Sequence, residues 1–187
     1  SKGSTCRVSI AQKDLKVLQN LKTIILQEYP IENRIIIRNE GVLEINSPLF
    51  YFVLVNYFKI PPGKKNFIVN IPNQILKSSP KCKLAFLTST IEGDGSWPPD
   101  TINIRMTSEN YTNNCNKLMK ELNYKSIFAK LSQKDLYLVE ICSKKDICKF
   151  IFDSLSFLNA INKFEHFLNS KFLKFYLYKN NYVKVEL

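Results

Sequence analysis

The feature that most constrains this chain is an internal repeat at an offset of 96 residues. Val8 and Ile10 recur as Ile104 and Met106, and the triplet Leu-Glu-Ile at residues 43–45 recurs as Val-Glu-Ile at residues 139–141. Ser47 recurs as Ser143. A repeat of this length predicts the same supersecondary unit twice.

Each copy has the plan strand, helix, strand, strand, helix. Alternating apolar residues predict the first strand of each copy, and further strands are predicted at residues 34–38, 42–45, 127–131 and 136–141. Apolar residues at helical spacing follow the first strand, and Ser47 and Ser143 are the expected N-caps of a second helix. The helical positions are Leu15, Leu18, Leu21 and Ile25 in the first copy, and Tyr111, Cys115, Leu118 and Leu122 in the second.

The predicted organisation is a first repeat at residues 1–59, a linker at 60–79 and a second repeat at 80–187. Ser79 and Pro80 begin a helix that enters the second repeat, and the first repeat has no equivalent helix. Residues 67–71 predict a short strand, and the apolar run 49–58 predicts a core helix. No apolar run is long enough to span a bilayer, so we expect no membrane association.

Charge and cysteine content limit the partners and the compartment. Lys and Arg number 27 against 16 Asp and Glu, a formal net charge of +11 that favours a polyanionic partner. The alternative is codon bias, because the chain is rich in Lys, Asn and Ile. Five cysteines without a CxxC pair suggest buried free thiols in a reducing, intracellular setting, the cytoplasm or an organelle matrix. His166 is the single histidine, which disfavours a zinc site.

The helix from Pro80 ends in a motif that can carry chemistry. Ala85, Ser89 and Gly93 recur at i, i+4 and i+8, so one stripe holds only small side chains and allows a second helix to approach closely. Asp94 and Gly95 follow this stripe. Two such acids on paired helices can hold divalent metal ions at a scissile phosphate. The alternative is an ordinary Asp-Gly turn, with Glu92 a solvated helix-end residue.

Residues 87–95 resemble the signature of the LAGLIDADG homing endonucleases. Leu87, Ile91, Asp94 and Gly95 match it, and Glu92 replaces an aspartate. The strand and helix order after the motif is similar to that of the family unit, and residues 60–65 resemble the archaeal-type spacer between two units.

The resemblance implies an α+β fold of two pseudo-symmetric αββαββα-like units, whose antiparallel sheets form a DNA-binding saddle. It implies a homing endonuclease of a mobile intron or intein that binds and cleaves double-stranded DNA at specific sites with Mg²⁺. Asp94 matches the metal-binding acid, and Lys64 or Lys65 corresponds to the supporting basic residue of the active site. Lys171 or Lys174 is the corresponding residue in the second repeat.

Outward residues of the predicted strands suit DNA contact, since Arg, Asn and Ser can bond base edges and Lys can contact phosphate. The alternative is that each belongs to a merely solvated strand face. The residues are Arg7, Ser9, Arg34, Arg38, Asn103, Arg105 and Lys130.

One motif acid is missing. At an offset of 96, the counterpart of Asp94 maps to 94 − 96 = −2, so the first motif helix is absent from this sequence. It then lies upstream, in a second chain, or has been lost, and we expect the chain alone to cleave poorly or not at all. The alternative function is a non-cutting relative, either a maturase that binds intron RNA or a DNA-binding regulator. A basic structural protein is a third reading.

Overall fold

The computed structural model describes residues 6–31, 34–63, 68–96, 101–132 and 135–157. The chain forms two compact units, Ser1–Gly63 and Lys64–Leu187. Lys64, Lys65, Lys171 and Lys174 lie outside the described residues, as does His166.

The first unit contains a three-stranded antiparallel sheet and a covering helix. The strands are β1 (Val8–Ala11), β2 (Ile35–Arg38) and β3 (Val42–Ile45), in the spatial order β1-β3-β2. Val8 and Ile35 both lie opposite Ile45, so these side chains share one face. Gly41 makes the turn between β2 and β3 at φ 74°, where an added Cβ would lie 2.6 Å from the Gln12 carbonyl oxygen. A larger residue would be strained there.

Helix α1 (Leu15–Glu28) covers the apolar face of this sheet. Asp14 caps it by accepting from the Lys16 N–H at 2.9 Å. Its buried residues Leu18 and Ile25 pack with Ile35, Leu43 and Ile45 to form the core of the unit. The core is small, because only these five apolar side chains are buried in the described part of the unit.

The apolar run 49–58 is helical, as predicted, but it is not a core helix. It forms α2 (Pro48–Phe52) and then a π-helical turn over Val53–Tyr57, and neither segment contains a buried residue. Ser47 is the N-cap and accepts from the Phe50 N–H at 3.3 Å. Several large apolar side chains are exposed here: Leu49, Phe52 and Tyr57.

The second unit packs helices against a four-stranded antiparallel sheet. Its helices are α3 (Asn73–Leu76), α4 (Pro80–Asp94), α5 (Glu109–Glu121) and α6 (Lys144–Ser154). Its strands are β4 (Gly95–Ser96), β5 (Ile102–Met106), β6 (Ile127–Leu131) and β7 (Leu136–Ile141), in the order β4-β5-β7-β6. Residues 68–71 are not a strand, contrary to the prediction. Ile71 is buried in the core of this unit instead.

Three serines set where the helices of the second unit begin. Ser79, Ser108 and Ser143 cap α4, α5 and α6 and accept from backbone N–H groups at 3.3–3.4 Å. The sheet residues Ile102, Ile104, Val139 and Ile141 pack against the helices in one core. The Thr88 hydroxyl donates to Ser154 Oγ at 2.9 Å, which joins α4 to α6 inside this core.

Both units therefore contain the strand order expected of the repeat, with β3 and β7 in the central positions. The offset is not uniform, however. Ile45 and Ile141 differ by 96, but their partners Val8 and Ile102 differ by 94, as do the N-caps Asp14 and Ser108. The predicted equivalence of Val8 with Ile104 is thus wrong by two residues. A shift of two keeps the same side of a strand toward the core, which is why alternation still identified the buried face.

Among the described residues, no helix is both long and apolar enough to cross a bilayer. All five cysteines are free, and two of them, Cys115 and Cys148, are buried. Most were expected to be buried, but Cys82 and Cys142 are exposed.

Candidate DNA and metal site

The side of the first sheet that faces away from α1 carries polar and basic side chains together with the apolar Ala11, Ile36 and Val42. Ser9 and Ile36 both lie opposite Glu44 on this outer face, and Arg38 lies opposite Val42. Arg7 and Arg34 come just before β1 and β2, and both are exposed. The four residues predicted here for DNA contact therefore lie on or beside one exposed face.

Glu44 stands at the centre of this outer face, between two arginines from neighbouring strands. Its Oε2 lies 2.6 Å from Arg38 Nη2 and its Oε1 lies 3.4 Å from Arg7 Nη1. The Glu44 side chain is 10% exposed, whereas those of Arg7 and Arg38 are 50% and 51% exposed. The Arg38 guanidinium holds the pKa of Glu44 below its usual value, and Glu44 in turn raises the pKa of Arg38. Sequence reasoning missed Glu44, although strand alternation places it on the outer face.

The outer face of the second sheet is different in character. Asn103 lies on this face opposite Glu140, but it is only 3% exposed and is therefore not accessible for direct contact with DNA. Arg105 is exposed on the same face, opposite Leu138. Arg105 is the one basic side chain on the described strands of this face. The rest of the face is mainly apolar, including Ile127, Ala129, Leu131 and Leu136.

Lys130 does not lie on this face, contrary to the prediction. It pairs with Tyr137, and Phe128 pairs with Val139, so these residues are on the helix-covered side of the sheet. The Phe128 and Tyr137 rings stack there at 6.1 Å, with the Lys130 ammonium 5.6 Å from the Tyr137 ring. Ile127 is 56% exposed on the opposite side. The aromatic residue, not the isoleucine, occupies the inward position of β6.

Helix α4 separates a buried face from an exposed one. Leu87, Thr88, Ile91 and Glu92 are buried along one side. Glu92, expected to be solvated, is 6% exposed, because it falls one turn after Thr88 on this buried side. Ser89 and Gly93, from the stripe of small residues, are exposed, and Ala85 is half-buried.

Asp94 is the last residue of α4 and is exposed. Gly95 follows in an extended conformation and donates its N–H to the Ile91 carbonyl. As the first residue of β4, it pairs with Ile104 of β5. A Cβ at Gly95 would lie 2.6 Å from the Ile91 Cα and 2.7 Å from its carbonyl oxygen. The close helix-to-strand turn therefore requires glycine here, and it places the Asp94 carboxylate at the helix end beside the sheet.

A tyrosine lies close to this helix end. The Tyr111 hydroxyl is 3.1 Å from Thr90 Oγ1, which is one turn before Asp94. Burial raises the pKa of Tyr111, and the neighbouring Cys115 and Asp94 raise it further, so the phenol stays protonated at neutral pH. It supplies a neutral hydroxyl next to the acid.

Asp94 suits a hard cation, because Mg²⁺ is commonly held by one or two carboxylates together with substrate phosphates and water. The described residues contain no cluster of three or more His, Cys, Asp or Glu that could hold a metal ion by itself. Asp94 alone would therefore supply only one part of a metal site, and further oxygen ligands would be needed. Lys64 and Lys65, the predicted supporting bases, cannot be placed relative to it because they lie outside the described residues.

Comparison with known proteins identifies the fold. Residues 81–152 match the family model of the LAGLIDADG-like domain. A mesophilic-variant structure of the homing endonuclease I-DmoI matches with a TM-score of 0.63 and 16% identity, covering 82% of each chain. I-DmoI in complex with DNA and Mn matches with a TM-score of 0.63 and 16% identity, covering 80% of this chain and 81% of that one. I-DmoI in complex with DNA and Ca matches at 0.61 and 16% identity, covering 78% and 73%.

These matches define an α+β protein with the LAGLIDADG fold. The match to the LAGLIDADG-like domain includes the motif at residues 87–95 and agrees with the resemblance seen there. No curated protein matches it significantly.

Proposed function

We propose that this chain binds double-stranded DNA at specific sites and contributes Asp94 to a divalent-metal site for cleavage, as in a homing endonuclease of an intron or intein. The observation that carries the proposal is the position of Asp94. It is an exposed carboxylate at the end of a motif helix, held there by a glycine whose backbone position excludes a side chain.

DNA binding is supported by charge and by the outer face of the first sheet. The net charge is +11, and Arg7, Arg34 and Arg38 are exposed on or beside that face. Arginine can bond the edge of guanine with two parallel hydrogen bonds, and it also pairs with phosphate. Arg105 is the corresponding contact that we propose for the second sheet.

A bound Mg²⁺ would stabilise charge on the attacking and leaving oxygens of the phosphodiester. Asp94 would hold the ion, and the neutral Tyr111 hydroxyl, bonded to Thr90, would help to fix the helix end. We propose that a second acid, from a part of the protein outside the described residues or from a second chain, completes the site. The small residues Ser89 and Gly93 leave room for the helix that carries it.

A non-cutting relative is the second candidate, favoured because the described residues contain no group of three or more His, Cys, Asp or Glu that could hold a metal ion. A maturase would bind structured intron RNA, and a regulator would bind duplex DNA without cutting it. All five thiols are free, which suits the reducing intracellular compartment that either function requires.

The experiment compares the unchanged chain with Asp94→Asn and with Glu121→Gln, a control that removes one exposed negative charge from a different helix. Binding to a duplex library, to single-stranded DNA and to a folded RNA is measured first, and strand cleavage of bound duplex is then measured with Mg²⁺ or Mn²⁺. Duplex preference with cleavage or nicking lost only in Asp94→Asn supports the proposal. Preference for the RNA would favour the maturase. Cleavage that persists in Asp94→Asn would remove Asp94 from the site.

A further inference from the structure

We propose that Glu44 is a positioning residue that holds Arg7 and Arg38 in fixed orientations for sequence readout by the first unit. The inference rests on the proposed DNA-binding function and names the part of that surface that reads bases. Nothing in the sequence motif points to this residue.

The geometry joins three strands through one carboxylate. Glu44 lies on the central strand β3, Arg38 is on β2, and Arg7 immediately precedes β1. Each arginine meets a different carboxylate oxygen, at 2.6 Å for Arg38 and 3.4 Å for Arg7. The carboxylate is nearly covered, while about half of each arginine side chain remains open to solvent.

This arrangement leaves both arginines able to bind a further partner. A guanidinium carries five N–H donors in a planar fork, and the ion pair engages a single terminal nitrogen of each. Fixing a long side chain in advance reduces the conformational entropy that it loses on binding. An arginine held in one plane can also distinguish base edges, whereas a mobile one is mainly a positive charge.

Glu44 works against nonspecific attraction to phosphate. It places a negative charge at the centre of a face whose proposed ligand is a polyanion, and it neutralises one of the two neighbouring positive charges. A surface that bound DNA through positive charge alone would bind phosphate more tightly without Glu44. The benefit of Glu44 is therefore expected in selectivity, since a phosphate contact fixes position but carries no sequence information.

The described strands of the second unit have no equivalent arrangement of one glutamate between two arginines. Glu140 occupies the equivalent position of β7, and Arg105 lies diagonally from it, as Arg38 does from Glu44. Among the described residues, however, no ion pair joins Arg105 to Glu140. We therefore expect the effect of Glu44 to be confined to the base pairs under the first unit, in one half of the bound site.

The test measures selectivity separately from affinity. The full chain, Glu44→Gln and the charge-matched control Glu121→Gln each select duplexes from a randomised library. Dissociation constants are then measured for the sequence that the unchanged chain selects and for one random duplex. Arg38→Lys is a second variant, which keeps the positive charge but loses the planar fork. Thermal unfolding shows that each variant is folded.

We expect Glu44→Gln to bind the random duplex as tightly as the unchanged chain or more tightly. We expect its preference for the selected sequence to fall about tenfold, and the selected base preferences to weaken in one half of the site. Arg38→Lys should lose preference in the same half, and Glu121→Gln should keep it. If Glu44→Gln and Arg38→Lys keep the full preference, this inference is wrong while the proposed function stands. If the unchanged chain binds no duplex, both are wrong.

Discussion

Arg38 and Glu44 face each other diagonally across β2 and β3, with 2.6 Å between Nη2 and Oε2. This ion pair lies on the outer face of the first sheet, and Arg7 meets the other oxygen of the same carboxylate. The basic character of the face is thus organised around a nearly buried acid. The second sheet, whose outer face is mainly apolar, has no such arrangement on its described strands.

Duplex binding should depend on a positive charge on the outer face of a sheet more than on one on the helix-covered face. Arg38→Ala should weaken duplex binding and reduce the magnitude of the salt slope by about 0.9 if one phosphate contact is lost. Lys130→Ala, which removes the same charge on the helix-covered side of its sheet, should change both quantities little. Duplex binding at several salt concentrations measures the difference. Equal losses in the two variants would contradict the assignment of the outer face.

Cleavage should depend on Asp94, while binding should not. Asp94→Asn keeps the size of the side chain and removes the charge that holds a cation, so we expect loss of metal-dependent strand cutting with nearly unchanged duplex affinity. The unchanged chain alone should cut poorly, because the described residues contain no cluster of acids that could hold the metal ion by itself. Plasmid cleavage with Mg²⁺ measures both effects. Efficient double-strand cutting by a monomer of residues 1–187 would show that the second acid is already present.

The two glycines at the end of α4 should behave in opposite ways. A Cβ at Gly95 would lie within 2.9 Å of three Ile91 atoms, two of them backbone, so Gly95→Ala should destabilise the chain by about 1–3 kcal/mol. Gly93 has no atom within 4 Å of an added Cβ, and Gly93→Ala should be neutral or stabilise by up to about 1 kcal/mol. Chemical denaturation of the two variants checks this contrast. Equal stabilities would mean that the close turn after Asp94 is not present.

Alkaline pH should destabilise the second unit through its buried thiol. Burial raises the pKa of Cys115 from 9.0 to about 12, so the unfolded chain loses this proton first as pH rises. Its contribution to stability is complete below pH 9 and is lost up to about pH 12, at about 1.4 kcal/mol per pH unit. Cys115→Ala should reduce this slope and leave the part due to Cys148, whose pKa burial raises to about 11. Cys82→Ala, at an exposed position, should leave the slope unchanged. Denaturation curves from pH 8 to 11 measure the slope.

Much of the fold was predictable from the sequence because local rules and tertiary structure agree. Alternation identified the core-facing apolar residues of β1 and β5, and the caps Ser47 and Ser143 begin helices as expected. The central strands β3 and β7 correspond at the predicted offset. The predicted offset of the first strand was wrong by two residues. The difference of two residues between the copies keeps the same side of the strand toward the core, so the pattern of apolar residues did not reveal it.

The remaining errors came from effects that sequence periodicity does not contain. Phe128 and Ile127 are adjacent apolar residues, so alternation alone does not show which of them faces the helices. In the structure Phe128 does, where its ring stacks on that of Tyr137. Glu92 is buried because it lies on the side of α4 that packs into the core of the second unit. The exposure of Leu49 and Phe52 likewise depends on the tertiary structure around them. The role of Glu44 was missed because its partners come from two other strands, and pairing register cannot be read from a single segment.

The central claim is that this chain binds double-stranded DNA through several phosphate and base contacts. The most direct measurement is a titration of its affinity for a duplex as salt is raised from about 50 to 200 mM. We predict a linear fall in the logarithm of the association constant with the logarithm of salt, with a slope of several units that reports the number of phosphates neutralised. No measurable duplex binding at low salt, or affinity that does not change with salt, would contradict the account.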